Sequence, residues 1–236
     1  MTLPMMTDAA PWTRRHTKRV IDELAQSIKE RDSVTYQHCR RVAIYANRLA
    51  RQMGWQRAAA RELALAGLAH DLGKTWVRNE VLLKPAMLSA SERETIEKHP
   101  ITAAQLLWAF DMPDTILDAV LSHHERWDGA GYPNHLKGDE IPLAARMLSV
   151  VDVFDVITTD RPYKAAMGVA KARARIIEGA GSAFDPIVVV AFTDLLDTRP
   201  DFRLTAYDSA PAPDAIWSAH DNGDQLSPAL DYPEQR

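Results

Sequence analysis

Apolar positions recur at helical spacing along most of this chain, and the alternation that marks strands is absent. Residues 13–31 pattern as a charged amphipathic helix. Residues 34–53 form a second, with Val42, Tyr45, Leu49 and Met53 on one stripe and Gly54 just beyond as a stop. Residues 57–71 predict a third helix, whose ELALAGLAHDL is apolar on nearly every side and therefore central and buried. Residues 72–88 predict a loop with a helical turn near Val81–Leu83. Ser89 with Glu92, and Ser91 with Glu94, offer two overlapping capping boxes for a helix beginning near 90. Pro100 kinks or restarts that helix. Further helices follow over 113–124, 142–159, 168–179 and 185–197, the first two opened by prolines. The expectation is one all-α domain, a helical bundle around a central buried helix, over residues 13–198. Residues 1–12 are expected to form a flexible N-terminus. Residues 199–236, acidic and with five prolines from Pro200 on, are expected to be a disordered or loosely docked tail that Trp217 could anchor.

Composition narrows the class. Apolar residues make up 46% and charged residues 25% of the 236, which is ordinary for a globular protein. The net charge of −4 is uneven: residues 200–236 hold seven Asp/Glu and two Arg, or −5, and the rest sums to +1. General nucleic-acid binding is not expected from so little basic charge. The longest apolar runs, such as IVVVAF at 187–192, are far too short to span a bilayer. No apolar signal core follows the N-terminus, so a cytoplasmic location is expected. The single cysteine, Cys39, rules out an internal disulfide.

The chemistry lies in polar residues on apolar stripes. His70-Asp71 ends the most apolar helix, although Asp is almost never fully buried unless paired or metal-bound. Asp152 shares a stripe with Ala145, Leu148 and Val156. His38 precedes Val42 on its stripe. His99 lies with Ile96, Ala103, Leu106 and Phe110. His123 follows Ile116 and Val120, and His124 follows Leu117 and Leu121. One such histidine would be a structural core residue. Five histidines and two aspartates, all aimed inward, point to a metal centre instead. Seven N/O ligands without a thiol suit iron, manganese, nickel or zinc. They are too many for one tetrahedral site and fit two ions bridged by a carboxylate, the arrangement that activates water for in-line phosphoryl displacement.

The blocks HDLGK (70–74), HP (99–100), HHERWDGAGYP (123–133), EIPLAARMLSVVDVFDVITTDRPYK (140–164) and SAFDP (182–186) resemble the HD-GYP family, the cyclic di-GMP phosphodiesterase branch of the HD-domain metal hydrolases. The resemblance runs from about 34 to 198, which leaves about 33 residues ahead of it and no sensory or receiver domain expected there. It implies an HD-type bundle in which His38, His70, Asp71 and Asp152 hold one ion. Asp71 would bridge to a second, held by His99, His123 and His124. It implies that Lys74 contacts the attacking water or the scissile phosphate, and that Arg161 and Lys164 bind phosphate oxygens. The implied ions are two divalent transition metals, iron or manganese ahead of nickel or zinc. The implied reaction takes cyclic di-GMP to linear pGpG and on to GMP.

Trp127 and Tyr132 offer rings to stack on guanine, with packing beneath the loop as the alternative for Trp127. The Gly129–Pro133 loop is also a family candidate for contact with a GGDEF-domain cyclase. Three departures stand out. Val34 replaces the Glu that holds a third metal in some members, TWVRNEVLLKP follows HDLGK, and Ile101-Thr102-Ala103 follows HP. Two other readings share these motifs: a cyclic di-GMP sensor or cyclase-docking module without turnover, and a phosphodiesterase for another cyclic dinucleotide.

Overall fold

The computed structural model describes residues 14–84, 86–160 and 165–199. These residues form helices and no named strand. They run α1 (Arg14–Arg31), α2 (Ser33–Gln52), α3 (Arg57–Ala69), a 3-10 turn (Leu72–Trp76), α4 (Asn79–Leu82), α5 (Ala90–Glu97), α6 (His99–Ala109), α7 (Asp114–Ser122), a second 3-10 turn (Gly138–Glu140), α8 (Leu143–Thr158), α9 (Val169–Glu178) and α10 (Pro186–Thr198). The expected N-terminal segment, almost all of the acidic tail with Trp217, and both Arg161 and Lys164 lie outside the described residues. Among the described residues no helix is long and apolar enough to cross a membrane.

Local chemistry sets the element ends. Asp32 caps α2, its carboxylate accepting from Val34 N at 2.9 Å and Thr35 N at 3.1 Å. Of the two overlapping boxes before α5, the first is made: Ser89 Oγ accepts from Glu92 N, and Glu92 accepts from Ser89 N at 2.7 Å. Asp185 caps α10 by accepting from Ile187 N at 2.8 Å, with Pro186 at the first helical position. The 72–88 stretch holds more helix than the sequence suggested, because a 3-10 turn follows α3 directly.

The core forms around α3, where Ala60 and Leu63–Ala69 are buried. It packs most extensively on α2, and the contact is close because both helices are small there. A Cβ on Gly67 would lie 3.0 Å from the Ala43 backbone. Tyr45, Phe154 and Phe192 pack edge to face, with centroids 5.6 and 5.0 Å apart, tying α2, α8 and α10 together. The buried stripe of α6 runs His99, Ala103 and Leu107, a strict i+4 progression. Leu106 is half-buried and Phe110 exposed, so the helix is rotated slightly from the phase its sequence suggested.

Gly73 matters most for the site. A Cβ there would lie 2.0 Å from the carbonyl oxygen of His99, so the turn after α3 touches the backbone that opens α6. That contact brings Asp71 and His99 together. Gly73→Ala is expected to cost about 1–3 kcal/mol of stability, the usual range for forced overpacking. Thermal melting measures it, and an unchanged midpoint would contradict this packing.

Candidate metal centre

All seven inward-facing ligand candidates meet at one end of α3. His38 comes from the second turn of α2, His70 and Asp71 from the turn closing α3, and His99 from the first position of α6. His123 and His124 come from just past α7, and Asp152 from α8. Their donor atoms gather in two groups, His38–His70–Asp152 and His99–His123–His124. Asp71 lies between the groups. Its Oδ2 is 3.5 Å from His70 Nε2 and 3.9 Å from His38 Nε2, whereas its Oδ1 is 3.4 Å from His99 Nε2. His38 Nε2 is 3.0 Å from Asp152 Oδ1.

Helix ends set the ring orientations. A helix leaves its last carbonyls without intrahelical partners, and three histidines use them. His70 Nδ1 donates to Gly67 O at 2.8 Å, and His123 Nδ1 donates to Val120 O at 2.7 Å. His99 Nδ1 donates to Ile96 O at 2.8 Å. Pro100 explains this third bond, since it lacks the N–H that would otherwise continue the helix onto that carbonyl. A carbonyl oxygen only accepts, so each Nδ1 carries the proton and each Nε2 carries a lone pair. Burial pushes His99 down to about 3, aided by the Lys74 cation, and pushes His124 down to about 4. Burial, then His124, holds His123 well below the usual imidazole range. These rings are neutral at neutral pH, the form in which an imidazole can bind a metal.

The residues fit a metal on two counts. His70 Nε2 is buried with no hydrogen-bond partner. His99 Nε2 faces His123 Nε2 at 3.3 Å; both atoms carry lone pairs, an approach that a cation relieves. His38 behaves differently. Burial disfavours its cation, but hydrogen bonds to Asp152 and Asp155 outweigh that and raise it to about 9. Burial opposes ionisation of Asp71 too, yet Lys74 and then His70 and His99 hold its carboxyl well below the usual range. Lys74 Nζ lies 2.7 Å from Asp71 Oδ1 and 2.8 Å from Oδ2. Asp152 likewise stays ionised against its burial, through its hydrogen bond with His38.

The structure brings three further residues to the site that the sequence reading did not assign to it. Asp155 is buried, accepts from His38 Nδ1 at 2.7 Å, and is gripped by Arg41 at 2.6 and 2.9 Å. It completes a carboxylate–histidine pair of the kind that orients metal ligands. Its signal was a second acid three residues after Asp152. Cys39 is within reach of His70 and Asp71, but burial holds the thiol well above its usual range, so it is a poor ligand. Glu125 follows the paired histidines directly. Its buried carboxylate accepts from Asn134 N at 2.6 Å and Leu136 N at 3.2 Å, which folds the glycine-rich loop back on itself. A Cβ on Gly131 would lie 2.3 Å from Arg126 N, so only glycine permits that return.

The loop's two aromatic rings part company. Tyr132 lies against His124, with centroids 4.8 Å apart. Trp127 packs under the loop instead, beneath the Arg146 guanidinium at 5.5 Å, and Arg146 is held by Asp185 at 2.8 Å and Asp139 at 2.9 Å. Val34 is exposed and contributes nothing to the ligand set. Beside the metal groups, and sharing His124 and Tyr132 as walls, lies a cavity of about 750 Å³.

The chain is similar to proteins of known family. The family model of the HD domain matches residues 20–188. A 3'3'-cGAMP-specific phosphodiesterase of Vibrio cholerae is 33% identical over 85% of this chain and 44% of its own. A cyclic di-GMP phosphodiesterase of Pseudomonas aeruginosa is 36% identical over 82% of this chain and 50% of its own. The chain thus spans about half the length of the curated relatives it matches. Among solved structures, a cyclic GMP-AMP-specific phosphodiesterase of V. cholerae shares the fold with a TM-score of 0.65 at 19% identity, covering 86% of this chain and 53% of that one.

Asp155→Asn keeps the shape of the residue that orients His38 but removes its charge. Metal affinity is expected to fall roughly 10–100-fold, as when other supports of metal ligands are removed. Competition with a chelator measures this; unaltered affinity would show that Asp155 serves only packing.

Proposed function

The chain belongs to the HD-domain family, in its HD-GYP branch, and from that premise we propose that it is a metal-dependent phosphodiesterase that hydrolyses cyclic di-GMP to linear pGpG and then to GMP. The observation that carries this reading is Asp71, whose two carboxylate oxygens face two separate imidazole groups beside an open cavity. His38, His70 and Asp152 would hold one divalent ion, and His99, His123 and His124 the other, with Asp71 shared. Iron or manganese suits this all-N/O set ahead of nickel or zinc. When bound, such ions supply Lewis acidity that acidifies water and draws charge from a phosphate.

The chain's own groups do the rest. Asp71 stays ionised against its burial chiefly because the Lys74 ammonium lies against both of its oxygens. The Lys74 ammonium, partly open to solvent, is placed to meet a non-bridging phosphate oxygen as negative charge develops there. Arg161 and Lys164 are proposed as phosphate anchors for the dinucleotide. Hydrolysis forms a new P–O bond to water and breaks the P–O3′ bond in line, with one proton passing to the departing 3′ oxygen. Tyr132 borders the space the substrate would fill, while Trp127, beneath Arg146, serves the loop. The Gly129–Pro133 loop, exposed at Ala130, is the part left for a GGDEF-domain partner.

Metal-loaded protein is expected to convert cyclic di-GMP to pGpG, with Asp71→Ala lowering kcat/KM by roughly 10²–10³-fold or more, the scale of losing a principal charge-stabilising group. Product chromatography measures it. If the wild type leaves cyclic di-GMP as intact as Asp71→Ala does, the activity is refuted. Tight binding without product would select a sensor instead.

A further inference from the structure

The SAFDP block at 182–186 has no part in the metal centre, yet it builds the far side of the adjoining cavity. Gly179 closes α9, and a Cβ there would lie 2.6 Å from the Phe184 ring, so glycine lets that ring lie across the helix end. The metal-side loop is then tied to this turn by its backbone: Asp128 N donates to Ser182 O at 2.8 Å, and Trp127 N to Ala183 O at 3.3 Å. The cavity between these two joined walls measures about 750 Å³, within the range of small-ligand pockets. His124 and Tyr132 line its metal side. Phe184 lines the opposite side, where Arg175 and Glu178 stand at the rim.

That pair is the informative feature. Arg175 Nη1 lies 2.7 Å from Glu178 Oε2, with both side chains about two-thirds exposed (70% and 68%). An exposed pair of this kind adds little to stability. What it offers a ligand is a carboxylate beside a guanidinium, at the edge of a space walled by apolar groups (Val153, Ala183, Phe184) and polar ones (Ser149, Arg126). Guanine's pairing edge carries two adjacent donors, N1–H and the N2 amino group, followed by the O6 acceptor. A carboxylate can take both donors at once while a guanidinium meets O6. Adenine offers a carboxylate only its N6 amino group, next to an N1 lone pair that repels it.

We propose that this cavity holds one base of the cyclic dinucleotide and that Glu178, with Arg175 beside it, selects guanine over adenine. The inference rests on the phosphodiesterase reading above and names the base preference of that site. It assigns Glu178 to substrate specificity and leaves the chemistry to the metal centre.

Two measurements test it, and both are ratios, which a partly unfolded variant leaves intact. Calorimetric titration of wild-type protein with GMP and with AMP is expected to favour GMP about tenfold, the discrimination expected of one good bidentate base contact. The kcat/KM ratio for cyclic di-GMP over cyclic di-AMP should show the same preference. Glu178→Gln should bring both ratios close to unity, because an amide cannot accept two donors. Equal binding of GMP and AMP by the wild type, or ratios unmoved by Glu178→Gln, would overturn the assignment. If the wild type cleaves both cyclic dinucleotides with equal kcat/KM, the specificity pocket fails and the phosphodiesterase stands. If it discriminates GMP from AMP but cleaves neither cyclic dinucleotide, the pocket stands and the activity fails.

Discussion

Taking a carboxylate out of water costs several kcal/mol unless positive charge or strong donors meet it. Asp71 is only 2% exposed, just past the end of α3, the helix around which the core forms. The surrounding structure can be understood as the means of keeping it ionised there. Lys74 reaches back one turn to both of its oxygens, and His38, His70 and His99 approach within 3.9 Å. The approach of α6 depends in turn on Gly73, the only residue that lets the turn after α3 touch the His99 backbone. One carboxylate thereby fixes how α2, α3 and α6 meet.

The histidines solve a second problem, that of pointing lone pairs inward. A mobile imidazole is a weak ligand because its ring orientation and tautomer are both free. Here His70, His99 and His123 each stand at a helix boundary, where a carbonyl three residues back is free to hold Nδ1–H. This also accounts for two adjacent histidines after α7. His123 is locked by Val120, while His124 leans on Tyr132 and opens toward the cavity. The pair joins the metal centre to the place where a base would lie. Polar contacts farther out hold these parts in position. Asp155 steadies His38, Glu125 closes the loop, and Arg146 seats Trp127.

Much of this was legible from the chain. Each of the seven candidate ligands lay on an apolar stripe, and helical periodicity makes an inward polar residue visible without coordinates. The capping box at Ser89 named the start of its helix, because a cap is a local interaction. What depended on distant contacts was hidden. Asp155 faces α2 only because of how α8 crosses it, 114 residues from its Arg41 partner. The rotation of α6 that buries Leu107 in place of Leu106 follows from its packing on neighbouring helices. Glu125 looked like one more charged loop residue, since its two acceptor bonds exist only once the loop has closed. Trp127 could equally have faced a base until Arg146 was seen above it.

The central claim is that Asp71 joins two metal-holding groups, so the most direct test counts ions. Elemental analysis of the purified chain, reconstituted with iron or manganese and freed of loose metal, should give two ions per chain. His99→Ala should retain one, because the His38–His70–Asp152 group is left whole. One ion or none per wild-type chain under saturating metal would contradict the shared-carboxylate centre and the reaction built on it.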